Sequence, residues 1–320
     1  MRKQFETPIL FLLFNRPAVA QQVFNQIKAI KPRHLYIAAD GPRTDRKDDI
    51  INCKQTREII NQVDWECDIK TLFRGENLGC GFGVCSAISW FFEQVEEGII
   101  LEDDCFPDIS FFYFCDEVLR KYKEDKSIYV ISGTNLQNGI KRGNASYYFS
   151  NYPITWGWAS WRRAWRQFSY NIPDFDKSFK SGALSHVFQS AQEKNYWRNK
   201  IRKGELEKKY IWDYQWYFAV WKNKGISIVP NVNLITNIGF RNNATHTFLC
   251  DSIREPLTKN SIQFPLIAPP KTIDRKADYF AYQNAFSHSI SRFYRLIKEN
   301  GIFSVFKYTL SRLVNSIKSE

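Results

Sequence analysis

Short apolar runs alternate with helix-like segments through the first half of this 320-residue chain. The apolar runs cover residues 9–14, 35–39, 69–73 and 99–101, and helical patterns lie between them at residues 19–30 and 84–95. Such alternation predicts an α/β fold in which helices flank a sheet and each strand leads into a loop at one edge. Ligands of open sheets bind beyond the carboxyl ends of the strands, so the residues that follow these runs are the first candidates for a site.

The acidic triplet Glu102, Asp103 and Asp104 directly follows the fourth apolar run. Uncompensated charge beside a core is costly, so three carboxylates at a strand end favour a site for a hard divalent cation. Such a cation takes oxygen ligands and can carry a diphosphate on its open positions, which is what a nucleotide-sugar transferase needs. The alternative is a solvated strand end that holds three acids by chance.

The composition argues against several other classes of protein. Hydrophobic residues make up 44% of the chain and aromatic residues 16%, which is enough for a large core and makes disorder a poor interpretation. Seven cysteines, an odd number with no Cys-x-x-Cys pair, disfavour a zinc site or a disulfide framework. The sequence has no apolar signal region and no run of about 20 apolar residues. The expected location is therefore the cytoplasm.

The formal net charge of +12 raises nucleic acid as a partner, because clustered Lys and Arg bind phosphate. The distribution of charge points elsewhere, since residues 271–320 hold nine basic and four acidic side chains in an amphipathic helical pattern. We therefore divide the chain into a catalytic domain, residues 1–250, and a C-terminal extension with basic amphipathic helices, residues 251–320. The apolar stripe of this extension could contact the inner face of a membrane, or pack on the catalytic domain.

Five landmarks follow one another along the chain: Asn15-Arg16 after the first strand, Asp40 after the second, the acidic triplet, Gly157-Trp158 with Trp165, and Trp212-Asp213 with Trp216. In this order they resemble the GT-A glycosyltransferases, and within them the group of animal N-acetylglucosaminyltransferase I and protein O-mannose N-acetylglucosaminyltransferase. The resemblance covers about residues 7–245. Residues 74–83 depart from the animal enzymes, which also begin with a membrane anchor, so the chain looks like a bacterial-type cytoplasmic relative.

This resemblance implies a GT-A fold, with a mixed sheet flanked by helices, and transfer of a sugar from a nucleoside-diphosphate donor. The donor would be UDP-linked, with UDP-GlcNAc among the candidates, and the acceptor a saccharide or glycolipid in surface-polysaccharide assembly. Asp104 would bind Mn²⁺ or Mg²⁺, while Asp103 would contact the ribose and Glu102 the donor sugar. Asp213 would be the general base of an inverting reaction.

Other candidates for nucleotide-sugar binding stand beside strand ends. Arg16 suits diphosphate or uracil oxygens, because a planar guanidinium donates paired hydrogen bonds. Asp40 could accept from the N–H of the base, although Asp-Gly-Pro is also an ordinary turn sequence. Arg74, Asn77 and Gly79 belong to a Gly-rich segment that resembles the loop that many GT-A enzymes place over the nucleotide.

Two further predictions concern an aromatic and a histidine. Trp158 belongs to the landmark Gly157-Trp158, and by this resemblance it is assigned to nucleotide-sugar binding. Flat aromatic faces in general make good walls for sugar and nucleobase sites. His246, just beyond a predicted strand, resembles the C-terminal histidine that many GT-A enzymes use as a metal or diphosphate ligand, and it is assigned to the metal, since neutral imidazole binds metals and protonated imidazole binds phosphate. A lone histidine is also often incidental.

Two alternative functions remain open, a sugar nucleotidyltransferase and a non-catalytic binding protein, whereas an NAD enzyme is disfavoured. A sugar nucleotidyltransferase has a similar sheet, but that class carries a Gly-rich loop with Arg or Lys after its first strand, where this chain has Asn15-Arg16-Pro17. An NAD enzyme would need a dinucleotide fingerprint at the same turn. A non-catalytic saccharide- or nucleic-acid-binding protein is the second open alternative. We expect no nucleic-acid partner, because no recognised nucleic-acid motif accompanies the aromatic residues.

Overall fold

The computed structural model describes residues 4–239 and 257–287. Its strands are β1 (Ile9–Leu13), β2 (His34–Ala39), β3 (Asp68–Phe73), β4 (Glu97–Glu102), β5 (Cys105–Pro107), β6 (Ile128–Ser132), β7 (Tyr147–Ser150), β8 (Trp158–Trp161), β9 (Ile226–Pro230) and β10 (Ile235–Asn237). Its α-helices are α1 (Pro17–Ile30), α2 (Lys47–Arg57), α3 (Gly79–Gln94), α4 (Ile109–Lys121), α5 (Arg162–Trp165), α6 (Phe175–Lys180), α7 (Ala191–Leu206), α8 (Asp213–Lys222) and α9 (Arg275–Ala281).

Eight of these strands form one sheet in the order β3-β2-β1-β4-β8-β6-β9-β7. Strands β3, β2, β1 and β4 are parallel neighbours, whereas β8 runs antiparallel to both β4 and β6. Strands β5 and β10 form a separate antiparallel pair. The predicted α/β fold, a mixed sheet flanked by helices, is confirmed. Its parallel half brings the carboxyl ends of four strands to one edge of the sheet.

The apolar runs of β1, β2 and β4 form strands where both faces of the sheet are covered, whereas β3, at the edge of the sheet, is largely exposed. Every residue of β1 is buried, and alternate side chains enter different cores. Ile9, Phe11 and Leu13 pack in one cluster, and Leu10 and Leu12 pack in the other. A strand buried on both sides needs apolar residues at consecutive positions, which explains the continuous runs seen in the sequence.

One predicted boundary was wrong in a way that matters for the site. The sequence pattern placed a helix at residues 84–95, after a Gly-rich loop, but α3 begins at Gly79. Glycines 81 and 83 therefore lie in the first turns of the helix and are buried there. Glycine weakens a helix interior by about 1 kcal/mol relative to alanine, so these positions call for a local reason.

The second half of the chain packs around tryptophan side chains. Trp158, Trp165, Trp212 and Trp216 lie together, with ring centroids 5.0 to 6.2 Å apart. This cluster lies beneath the start of α8, whose first residue is Asp213. Aromatic rings of this size bury large apolar areas and fix their neighbours firmly, so the start of α8 rests on a rigid support.

Residues 257–287 pack against the same domain. Ile262 joins the main core, Ile273 pairs with Phe149, and Asp278 accepts hydrogen bonds from Ser150 and Asn151. The predicted division at residue 250 stays a prediction, and most of the predicted amphipathic stripe lies outside the described residues. No helix within residues 4–239 and 257–287 combines the length and apolar character that a bilayer span requires.

Candidate active site

Arg16 joins the end of β1 to the acidic triplet at the end of β4. Helix α1 begins immediately after it with Pro17, since proline at the first helical position needs no hydrogen-bond partner for its nitrogen. The Arg16 guanidinium donates from Nε to Asp103 Oδ2 at 3.2 Å and from Nη2 to Asp103 Oδ1 and to Asp104 Oδ2, the last at 3.0 Å. One cation therefore holds two of the three predicted carboxylates.

The remaining acid of the triplet, Glu102, is crowded by negative charge. Burial, together with the charges of Asp104 and Asp103, raises the pKa of Glu102 to about 8, against the opposing charge of Arg16. Burial also raises the pKa of Asp103 to about 6, although Arg16 favours the ionised form. Several carboxylates that share a single cation are unusual in a structural role, so this group is a candidate functional site.

Asp213 approaches this group from the start of α8. Burial raises the pKa of Asp213 to about 6, while its own and the following backbone N–H groups oppose that rise, the latter at 3.0 Å. Its charge contributes to the raised pKa of Glu102. The charges of Glu102, Asp213 and Asp104 also add to the effect of burial in raising the pKa of the Cys80 thiol. Trp212, the residue before Asp213, stacks on Trp158, which pairs with Ile100 of β4, so the predicted base lies near the strand that ends in the predicted acidic triplet.

Gly239 closes one side of the site. A Cβ at this position would overlap Asp104 Oδ2 and would lie 2.9 Å from Arg16 Nη1. The backbone of this segment is tied down as well, because the Ile238 N–H donates to the Asp104 carbonyl at 2.9 Å. The strand-end acids are therefore packed against residues 238–239, and any larger side chain at 239 would displace Asp104 or Arg16.

The carboxylates of the acidic triplet could bind a divalent cation only if a bound substrate supplied further oxygen ligands. Arg16 occupies Asp104 Oδ2, and the described contact of Asp104 Oδ1 is with the Cys105 thiol at 3.7 Å. In the part of the chain that the structure describes, no group of three or more His, Cys, Asp or Glu side chains is placed to hold a metal ion. Magnesium commonly takes one or two carboxylates and completes its shell with substrate phosphates and water, and Asp104 fits that kind of site.

Asp40 has a structural function at the end of β2. Its carboxylate accepts hydrogen bonds from the backbone N–H groups of Gly41, Leu78 and Gly79, each with a nitrogen–oxygen distance of 3.0 Å. It therefore satisfies exposed donors at the start of α3, in the manner of a helix cap. Burial nevertheless raises the pKa of Asp40. The predicted contact with a nucleobase stays a prediction, and the turn alternative is supported by these hydrogen bonds.

The neighbouring candidates brace the same edge. Asn77 donates to the Gly41 carbonyl at 2.9 Å, and Arg74 donates to Ser86 Oγ at 2.9 Å. Arg57 Nη2 donates to the carbonyls of Asp40, at 3.0 Å, and of Arg74, at 2.6 Å. This guanidinium joins the ends of β2 and β3, and no pattern in the sequence had marked it.

Two of the predicted site residues are not found at the candidate site. Trp158 is only 1% exposed and packs within the tryptophan cluster, so its ring presents no free face to a ligand in this structure. His246 lies outside the described residues. The sequence also gave no reason to select Cys80, because a thiol carries no motif of its own here. Only the folded chain shows that the charges of Glu102 and Asp213 act on this thiol.

The protein matches no family model and no curated protein. Its likeness to solved structures is remote. Apo UDP-glucose pyrophosphorylase has a TM-score of 0.36 and 9% identity, over 72% of this chain and 93% of that one. Mouse xyloside xylosyltransferase 1 has a TM-score of 0.33 and 9% identity, over 67% of this chain and 81% of that one. A 4-diphosphocytidyl-2C-methyl-D-erythritol synthase from Anaerococcus prevotii has a TM-score of 0.32 and 10% identity, over 56% of this chain and 84% of that one. Likeness this weak does not identify an activity or the N-acetylglucosaminyltransferase I group, so function must be inferred from the side chains.

Proposed function

We propose that this protein is a glycosyltransferase that uses a nucleoside-diphosphate sugar, with a UDP-linked donor as the first candidate. The observation that supports this most is the position of Asp213, which follows Trp212 on the tryptophan cluster beside β4, near the carboxyl end of the strand that carries the acidic triplet. Positive charge for the leaving diphosphate and an acid of raised pKa are two components suited to sugar transfer from a diphosphate. Arg16, with a divalent cation on the acid pair, would neutralise the leaving diphosphate, and Asp213 would accept a proton from the acceptor.

In this proposal Arg16 faces the donor phosphates. A guanidinium that is already paired with Asp103 and Asp104 keeps further N–H groups, including Nη1, for phosphate oxygens. Mn²⁺ or Mg²⁺ bound through Asp104 would supply charge neutralisation of the diphosphate when present. Asp103 would lie near the ribose and Glu102 near the donor sugar.

Asp213 is the proposed general base. A carboxylate with its pKa at about 6 is mostly ionised at neutral pH and binds a proton more strongly than an exposed aspartate does. It would take the proton of the attacking hydroxyl, which joins the anomeric carbon as the bond to the diphosphate breaks. A single displacement of this kind inverts the anomeric centre.

The first experiment is incubation of the protein with labelled UDP-sugars, Mn²⁺ and candidate saccharide acceptors. We expect UDP release that is lost in Asp104→Ala and retained in Asp45→Ala, whose carboxylate lies exposed beside Arg46. Formation of a nucleoside triphosphate from UDP-sugar and pyrophosphate would instead identify a sugar nucleotidyltransferase. Tighter binding of RNA than of UDP at physiological salt would favour the non-catalytic alternative.

We also propose a saccharide or lipid-linked acceptor, with the basic tail as a contact for anionic membranes. The test is sedimentation with anionic liposomes of the full chain and of a chain that ends at Ser287. The cut must not fall earlier, because Ala281, Tyr282 and Ala285 pack in a hydrophobic cluster with Trp197 and Trp221. Loss of sedimentation in the shorter chain, with unchanged UDP affinity, is the expected result. Equal sedimentation would remove the membrane proposal.

A further inference from the structure

A short segment, residues 207–212, connects α7 to α8 and crosses the start of α3. We call these residues the strap. The Gly81 N–H donates to the Lys209 carbonyl at 2.9 Å, and the Tyr170 hydroxyl donates to the Lys208 carbonyl at 2.8 Å. The strap backbone is thus fixed at consecutive residues, immediately before the first turn of α8.

Two glycines of α3 allow this close approach. A Cβ at Gly81 would overlap the Lys208 carbonyl oxygen, and a Cβ at Gly79 would lie 2.9 Å from the Lys209 carbonyl oxygen. Gly79 also has a φ of +77°, which an L side chain rarely adopts. The Gly-rich segment therefore makes room for the chain itself, which accounts for glycine inside a helix.

The far end of the strap is held in a different way. Gln215 Nε2 donates to the Gly204 carbonyl at 3.1 Å and to the Ile211 carbonyl at 3.3 Å, so the end of α7 and the strap are tied to α8. Trp212 is buried in the tryptophan cluster. Asp213 consequently has two supports, the core below it and the α3 glycines beside it.

Cys80 shows how near these supports lie to the site. It lies between Gly79 and Gly81 in the sequence, and the charges of Glu102 and Asp213 contribute to the raised pKa of its thiol. We propose that Gly81 is a positioning residue: by admitting the strap backbone, it sets the carboxylate of Asp213 at the acidic triplet. This inference rests on the proposed function, because it assigns to Gly81 the placement of the proposed base.

The test compares Gly81→Ala with Gly75→Ala. Gly75 lies in the loop before the same helix, but a Cβ there would meet no atom within 4 Å. In Gly81→Ala the strap must move away from α3, and we expect UDP-sugar turnover to fall by about 10-fold or more, since small misplacements of a reacting group have effects of that size. UDP affinity, measured by calorimetry, should stay at the parent value. Gly75→Ala should match the parent in both measurements.

Limited trypsin digestion gives a readout that does not depend on activity. Lys209 is exposed, and its carbonyl is held by Gly81, so release of the strap should speed cleavage after Lys208 and Lys209. We expect faster cleavage in Gly81→Ala than in Gly75→Ala or the parent. Unchanged cleavage would overturn the docking, and normal turnover would overturn the positioning role. Equal losses of turnover and UDP affinity would also overturn it, because they would place the effect at the nucleotide.

If Gly81→Ala does not fold, Tyr170→Phe provides the second test. It keeps the ring beside Phe82 and removes only the hydrogen bond to the Lys208 carbonyl. A net loss of about 1 kcal/mol predicts cleavage and turnover changes of about fivefold, and no change in either would overturn the proposal. If the parent protein neither binds UDP nor turns over UDP-sugars, the proposed function is wrong. The trypsin result would still show whether the glycines hold the strap.

Discussion

Two regions of this protein contain buried acids, and the surroundings of these acids differ. Asp278 is 1% exposed and accepts hydrogen bonds from Ser150 Oγ at 2.5 Å and from both nitrogens of Asn151 at 3.0 and 3.1 Å. Glu102, in contrast, lies among Asp103, Asp104 and Asp213, and its main positive neighbour is Arg16. The first carboxylate has a full set of donors, while the second has mostly other carboxylates near it.

This difference separates an acid that holds the fold from acids that await a ligand. A buried carboxylate with matching donors stabilises the contact between two segments, here the C-terminal residues and the end of β7. A cluster of carboxylates with one shared cation keeps an unfavourable repulsion in the free protein. Folding alone gives no reason to maintain that repulsion, so a bound ligand or a proton transfer is the better explanation.

The largest expected effect comes from Asp213→Asn compared with Asp278→Asn. Removal of the proposed base should lower turnover by about 10²-fold or more and leave UDP affinity unchanged. Asp278→Asn should leave both quantities near the parent values. Steady-state kinetics and calorimetry on the two variants measure the contrast. Near-normal turnover in Asp213→Asn would place the base elsewhere and would remove the support for an inverting reaction.

The pH dependence of turnover provides the next test. The base must be ionised to accept a proton, and burial raises the pKa of Asp213 to about 6. Turnover should therefore decrease as the pH falls below about 6, by about tenfold per pH unit in the limit. The residual activity of Asp213→Asn should lack this acidic limb. If both proteins show the same loss of turnover at low pH, the titrating group is not Asp213.

A smaller effect is expected from Arg16→Gln on the binding of Mn²⁺ without nucleotide. Arg16 occupies Asp103 and Asp104, so its removal frees carboxylate oxygens for a cation. Loss of charged hydrogen bonds of this kind corresponds to at least about tenfold in affinity, and Mn²⁺ should bind more tightly by that factor. Arg74→Gln is the matched control, because its described side-chain contact is with Ser86. Equal or weaker Mn²⁺ binding in Arg16→Gln would argue against a cation site on these acids.

The smallest effect on the site, and the clearest on the fold, belongs to Asp278→Asn. One amide nitrogen would replace an acceptor oxygen, so a donor of Ser150 or Asn151 loses its partner at a cost of about 1–3 kcal/mol. Denaturant unfolding should show this loss at unchanged UDP affinity. No loss of stability would mean that Asp278 is not the structural acid of the comparison.

The pH dependence of stability sharpens that prediction. Burial raises the pKa of Asp278 from its ordinary 3.8 to about 7, so the folded state holds this proton more tightly than the unfolded chain does. Its contribution to stability is complete below pH 3.8 and is lost as the pH rises through about 7. The stability of the parent should therefore fall relative to that of Asp278→Asn between these values. A parallel pH dependence in both proteins would contradict the raised pKa.

The sequence predicted the four parallel strands β1 to β4, and most clearly β1 and β4, because a strand that is buried on both faces must be apolar at consecutive positions. It did not predict β5 to β8, which are three to five residues long. It also predicted which strand ends carry polar residues. The contacts of those residues were not predictable, since they depend on which segment arrives beside them. Asp40 meets the start of α3, and Gly81 meets the strap, through tertiary packing that leaves no local pattern.

The guanidinium of Arg57 has a consequence for recognition. By donating to the carbonyls of Asp40 and Arg74, it fixes the separation of two strand ends before any ligand arrives. The conformational entropy of this edge is thus lost during folding and not during binding, so a ligand that fits the spacing meets a preorganised surface. A ligand of a different length would have to break the hydrogen bonds between Arg57 and the two strand ends. The edge can therefore discriminate by dimension, in addition to the chemical groups that it presents.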